Sequence, residues 1–109
     1  MSEIKISIVT SCYNCGPYLH ETCDSILSQN YKNWEWLLID DFSEDNTQEI
    51  ISEVVERDDR IRKVMAEYKK QYWWNPQIAA TGDVFVHLDS DDKILPNTLN
   101  HINYYLLYN

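Results

Sequence analysis

Three aspartates stand together in the stretch HLDSDD, at Asp89, Asp91 and Asp92, directly after an apolar run. In extended chain alternate side chains share a side, so Asp89 and Asp91 present two carboxylates that repel unless a cation lies between them. Hard oxygen ligands at a strand end suit Mg2+ or Mn2+, which keep positions open for water and phosphate. The plainer reading is a solvated acidic turn ahead of a helix that opens near Pro96. The spacing by itself does not decide between the two. A calcium hand does not fit, because its loop needs Gly at the sixth position and Glu at the twelfth, where this chain has Ile94 and Asn100.

A second acidic group, LLIDDFSEDNT, puts Asp40 and Asp41 at the end of another apolar run. One of them can accept a hydrogen bond from a ligand N–H, while Ser43 or Asp45 caps the helix that follows. For Asp45 and Asn46 a turn and cap role is the preferred reading.

All three cysteines lie in TSCYNCGPYLHETC, where Cys12 and Cys15 have C-x-x-C spacing and His20 and Cys23 complete four possible zinc ligands. Cys23 falls on the helical stripe of Leu19, Ile26 and Leu27, which places it in a core, as free cysteines often are. A redox pair is the sharper rival, since CYNC lies between a strand and a helix. Both functional readings are disfavoured, and the odd cysteine count argues against a disulfide framework.

The elements that must position these residues follow a regular pattern. Ile4, Ile6 and Ile8 alternate on one face before Val9, which describes a strand entering a buried sheet. After Gly16 and Pro17 the helical stripe of Leu19, Cys23, Ile26 and Leu27 begins. WEWLLID is a second strand, and Ile50, Ile51, Val54 and Val55 form a second helical stripe. A third strand is expected over IRKVMA, a short helix over PQIAATG ending at Gly82, and a fourth strand over DVFVHL. A last helix opens at Pro96 and sets Leu99, Ile102 and Leu106 on one side. Strands alternating with helices predict an α/β fold with a largely parallel sheet. Both acidic groups then fall beyond the carboxyl ends of strands, where open α/β sheets bind ligands.

At 109 residues the chain is sized for one domain with one core. Its 44% hydrophobic and 25% charged residues are those of a soluble globular protein. No apolar run approaches a transmembrane span and no secretory leader opens the chain, so the cytoplasm is the expected location. A net charge of −9, from 18 acidic and 9 basic residues, would repel a phosphate backbone and makes nucleic acid an unfavourable partner. A phosphate ligand on so acidic a chain calls for a bound divalent cation.

The order of these motifs is more specific than any one of them. ISIVTSCYNCGPYLHETCDSILSQNYKNWEWLLIDDFSEDNT, then ATGDVFVHLDSDD, then LPNTL, closely resembles the family-two glycosyltransferases, with their Rossmann-like GT-A nucleotide-sugar-binding fold. The resemblance covers nearly the whole chain and is strongest over residues 6–47 and 80–99. It implies that the loop after the first strand cradles the nucleotide base, with Tyr13 packed on the base and Ser11 offering polar contacts. It also implies that Asp41 accepts a hydrogen bond from the base, uracil or a related one. Asp89 would meet the ribose or the metal, and Asp91 would bind Mn2+ or Mg2+. The cysteines then look like passengers in a nucleotide loop.

The reaction so implied is metal-dependent transfer of a sugar from a nucleotide-diphosphate sugar, a UDP-sugar in the first place, to a glycan, lipid or protein hydroxyl with inversion. Residues 1–109 would be a single donor-nucleotide-binding part, without the acceptor-binding part. An inverting transfer needs a general base for the acceptor hydroxyl. The family places that base well beyond the metal motif, and no candidate for it stands within these residues.

Two features depart from the pattern. The Arg-Asn-x-Gly segment common in the family is replaced by YWWNPQIAATGD, in which Trp73 and Trp74 can stack on a sugar but serve packing in the preferred reading. Alternatives remain: a non-catalytic nucleotide- or metal-binding module, or a haloacid-dehalogenase-like phosphatase. The phosphatase requires a Lys and further acids well after its D-x-D, and only 17 residues follow Asp92.

Overall fold

A computed structural model of the chain describes residues 3–65 and 79–108. Among the described residues four strands form one parallel sheet: β1 (Ile6–Cys12), β2 (Trp34–Asp40), β3 (Ile61–Met65) and β4 (Val84–His87). The helices are α1 (Gly16–Leu27), α2 (Thr47–Val55) and α3 (Thr98–Tyr108). The spatial order of strands is β3-β2-β1-β4. The chain therefore steps outward from β1 through β2 to β3 and returns to the other side of β1 for β4. That reversal leaves a crevice between the ends of β1 and β4, the place where open α/β sheets take their ligands.

The strand alternation sorts side chains onto two faces. Ile6, Ile8 and Cys12 of β1 join Trp34, Trp36 and Leu38 of β2 and Ile61 of β3 on one face. Against them pack Leu19, Cys23 and Ile26 of α1, Ile51 and Val54 of α2, and Leu99 of α3. Val9, Leu37, Ile39 and Val64 make a smaller cluster on the other face, with Ala79 and Ala80 beside them. Both central strands are buried on both sides, which is why WEWLLID reads as a continuous apolar run. The buried Trp36 indole satisfies its N–H on Thr10 Oγ1 at 2.8 Å.

The parallel α/β architecture with flanking helices agrees with the expectation, and Pro17 sits in the first turn of α1. The α3 stripe fades along its length, from buried Leu99 through half-buried Ile102 to Leu106 at 49% exposure, beside exposed Tyr104, Tyr105 and Tyr108. Of the helix expected over PQIAATG, residues 79–82 are turn and irregular chain, and the rest lies outside the described residues, as do Trp73 and Trp74. Among the described residues no helix is long and apolar enough to cross a membrane.

One polar network ties the sheet together at the opposite end from the crevice. The Glu35 carboxylate on β2 accepts hydrogen bonds from Ser7 Oγ at 2.6 Å, the Thr81 N–H at 2.6 Å and Arg62 at 2.9 Å. Gly82 follows Thr81 closely over β1. A Cβ there would clash with Ser7 Oγ and stand 2.8 Å from Ser7 N and 2.9 Å from Lys5 O, so only glycine lets this approach to β4 lie so near.

Candidate functional site

The ends of β1 and β4 frame an open pocket of about 250 Å³ lined by Ser11, Tyr13, Asn14, Cys15, Tyr18, Asp89, Ser90 and Asp91. Four of the residues singled out in the sequence, Ser11, Tyr13, Asp89 and Asp91, thus share one pocket. The fifth, Asp41, lies just past β2, half-buried, outside that lining. Its N–H donates to Cys12 O at 2.7 Å, which ties it to the end of β1.

Asp89, Asp91 and Asp92 each present a carboxylate oxygen within 4.8 Å of the others. Their convergence has a different origin from the extended-chain alternation expected. β4 ends at His87, and the chain turns, with the Asp92 N–H donating to Asp89 O at 3.1 Å. A turn curls all three side chains toward one region, so Asp92 joins the pair.

Polar contacts to α1 fix that turn. Thr22, buried on the helix, places its hydroxyl 3.0 Å from Ser90 O and 2.7 Å from Asp92 O. Ser25 Oγ accepts the Ile94 N–H at 3.2 Å, and Gln29 spans Leu95 O and the Leu99 N–H at 2.9 and 3.2 Å. The acidic loop and the start of α3 are therefore held by two residues of α1, Thr22 and Ser25, and by Gln29 just beyond its end. Sequence reasoning passed over Thr22 and Gln29, although buried polar residues need partners that satisfy them.

The first loop is held from the side of α2. Asn14 takes a left-handed backbone conformation (φ 49), its N–H donates to Ser43 Oγ at 3.0 Å, and its Oδ1 accepts the Glu44 N–H at 2.8 Å. Thr47 Oγ1 accepts the N–H groups of Cys15 and Gly16 at 2.9 and 3.1 Å. Asp45 accepts the Thr47 N–H at 2.9 Å, in keeping with its expected turn role, whereas Ser43 serves the neighbouring loop. Asp40 is also structural, accepting from the Ser43 N–H at 3.2 Å and from Gln48 at 2.9 Å. Of the two acids in LLIDD, the first is thereby committed to the loop. Phe42, 41% exposed beside Asp41, is held at φ 58, a conformation unfavourable for a bulky side chain.

Cys12 and Cys15 are both buried, and the Cys12 thiol lies 4.0 Å from the Thr10 carbonyl oxygen. The neighbouring Cys12 thiol, with help from Ser90 and Thr47, brings the Cys15 thiol down to about 7 against the opposing effect of burial. The Cys15 thiol and burial together push Cys12 up. Cys23 sits in the core as the helical stripe predicted, pushed up to about 11 by burial.

The fold and this pocket define an α/β domain of the GT-A kind, and comparison with known proteins agrees. The sequence profile of glycosyl transferase family 2 matches residues 7–106, and the chain belongs to that family. It is 39% identical over 102 residues to glycosyltransferase GlyG of Streptococcus pneumoniae, an alignment covering 91% of this chain and 34% of that protein. The fold superposes with a TM-score of 0.83 on Staphylococcus aureus TarS 1-349 in complex with UDP-GlcNAc, at 24% identity, covering 94% of this chain and 31% of that one. With a TM-score of 0.75 and 22% identity it also resembles the mannosyltransferase PcManGT of Pyrobaculum calidifontis in complex with GDP-Man and Mn2+, covering 85% and 29% of the two chains. The chain spans about a third of the length of the curated relatives it matches.

Proposed function

We propose that residues 1–109 are the donor-nucleotide-binding part of a glycosyltransferase that transfers a sugar from a nucleotide-diphosphate sugar, a UDP-sugar in the first place, to an acceptor hydroxyl with inversion. The observation that carries this reading is the meeting of Ser11 and Tyr13 with Asp89 and Asp91 in one pocket, at the point where the sheet order reverses. The complex of TarS with UDP-GlcNAc supports the choice of nucleotide.

In this reading Tyr13, half exposed at the pocket wall, packs its ring on the base, and Ser11 offers a hydroxyl to it. Asp41, anchored through its backbone to β1, accepts a base N–H. Asp89 and Asp91 face the diphosphate, with Asp89 also within the part of the pocket that takes the ribose.

The residues fit a divalent cation. Ligand bonds of about 2.1 Å bring oxygens on one ion to within roughly 4.2 Å of each other, and carboxylate oxygens that already lie within 4.8 Å of one another meet that by small side-chain rotations at most. Asp89 and Asp91 would hold the ion, with Asp92 alongside, and Mn2+ in the PcManGT complex supports this choice of metal class. A bound Mn2+ or Mg2+ supplies positive charge against the negative charge that develops on the leaving diphosphate. The backbone that carries the carboxylates is tied to α1 by the contacts of Thr22 and Ser25 to Ser90, Asp92 and Ile94.

Calorimetric titration of UDP with and without Mn2+, on the chain and on Asp91→Ala, tests the reading. Metal-dependent binding that disappears in the variant is the expected result. Binding that ignores both metal and variant overturns the role of the acids, and failure to bind under either condition overturns the assignment of these residues as a donor-binding part.

A further inference from the structure

Among the described residues Asn14, Phe42 and Asn97 are the non-glycine positions with positive φ, at 49, 58 and 64. Asparagine adopts this left-handed conformation readily, but a bulky aromatic side chain crowds its own backbone there. Strain of this kind persists only where something offsets it, and it gathers at ligand sites. Packing within the described residues does not offset it, because Phe42 belongs to neither core cluster and is 41% exposed.

The two loops at the crevice show where this ring stands. The Asp41 N–H donates to Cys12 O at 2.7 Å, and the Asn14 N–H donates to Ser43 Oγ at 3.0 Å. These ties run the loops side by side, Asp41 with Cys12 and Ser43 with Asn14. Between the ties one residue remains on each loop, Tyr13 on the first and Phe42 on the second. Both are exposed aromatics, and Tyr13 and Asn14 line the pocket, which puts Phe42 beside its Tyr13 wall.

We propose that Phe42 is a binding residue for the base of the donor nucleotide, its ring making with Tyr13 an aromatic clamp on the planar base whose N–H Asp41 accepts. The proposal rests on the donor-binding reading given above and adds a second aromatic wall to it. A stacked base covers a ring face that the free chain exposes, and this contact offsets the strain at residue 42. Every base has a π-face, so the clamp supplies affinity, while the Asp41 carboxylate selects among bases by hydrogen bonding.

Calorimetric titration of UDP and of inorganic pyrophosphate, each with Mn2+, into the native chain, Phe42→Gly and Phe42→Tyr tests the clamp. Glycine accepts a positive φ without strain, so Phe42→Gly removes the ring and leaves the loop its conformation. UDP should bind Phe42→Gly roughly tenfold more weakly than the native chain, while pyrophosphate binding stays within about twofold. Phe42→Tyr keeps a ring and should restore UDP affinity to within about threefold of the native chain. Thermal melting of the glycine variant at or above the native temperature shows that the loss is not one of folding, whereas melting below it removes the strain on which the proposal stands. Equal UDP affinity in the native and glycine chains, or an equal loss for UDP and pyrophosphate, overturns the clamp and leaves the donor site standing. A native chain that binds UDP no more tightly than pyrophosphate overturns the clamp and the base-binding reading together.

Discussion

Replacing Glu35 by glutamine is expected to remove about 3 kcal/mol of folding stability at neutral pH. The side chain is 7% exposed, and burial alone would raise its pKa from the ordinary 4.5. Hydrogen bonds from Ser7, from the Thr81 N–H and hydroxyl, and from Arg62 outweigh burial and hold it at about 2. At about 1.4 kcal/mol per pH unit, that difference favours the ionised form in the folded chain by about 3 kcal/mol, a sizeable share of the roughly 5–15 kcal/mol of a typical domain. Glutamine keeps one acceptor oxygen and turns an NH2 group toward donors on the other side, so it reproduces the neutral acid at best. Because the folded pKa lies below the unfolded one, the contribution is complete above about pH 4.5 and is lost as pH falls toward 2. Urea unfolding followed by tryptophan fluorescence, run over this range on both proteins, should show a gap that closes as the pH falls. A gap below about 0.5 kcal/mol at neutral pH, or one that stays constant through the acid range, would refute the reasoning.

Gly82→Ala should lower stability by about 2–3 kcal/mol in the same urea assay, because the new methyl meets Ser7 N at 2.8 Å and Lys5 O at 2.9 Å and backbone atoms cannot move aside cheaply. Phe42→Gly should raise stability by about 0.5–1 kcal/mol and the melting temperature by a few degrees, since relief of the left-handed strain exceeds the entropy cost of glycine. For the acidic cluster, Asp91→Asn should weaken Mn2+ binding roughly tenfold or more in calorimetry without nucleotide, with the fold unchanged by circular dichroism.

The parts of this molecule that were legible in its sequence are those written in local pattern. Alternation over Ile4, Ile6 and Ile8 and the stripe through Leu19, Cys23 and Ile26 each report a face, and the structure buries those faces together. The acids after β2 and β4 were legible as strand-end residues for the same reason. Their meeting with the first loop needed one more fact, the order β3-β2-β1-β4, which puts β4 rather than β2 against the open side of β1. No local pattern encodes that order; the family resemblance implied only that these residues meet one ligand.

The residues that were missed are polar groups whose partners lie far along the chain. Glu35 sits inside a run that reads as wholly apolar, and its meaning appears only when Thr81, 46 residues on, closes over it. Thr22 is separated from Ser90 by 68 residues, and Gln29 from Leu95 by 66. A buried polar side chain costs free energy unless it is bonded, so each of these positions in an apolar stripe does announce a partner. The sequence leaves open which partner, because a hydroxyl or amide accepts many. Here the bonds of these residues fall into two sets: Thr22 and Ser25 on α1, with Gln29 just past its end, hold the acidic loop, while Glu35 holds the approach to β4 at the other end of the strand. With β4 only four residues long, anchoring at both ends is what keeps Asp89 and Asp91 against the pocket, so the least legible residues are the ones that set the geometry of the most legible motif.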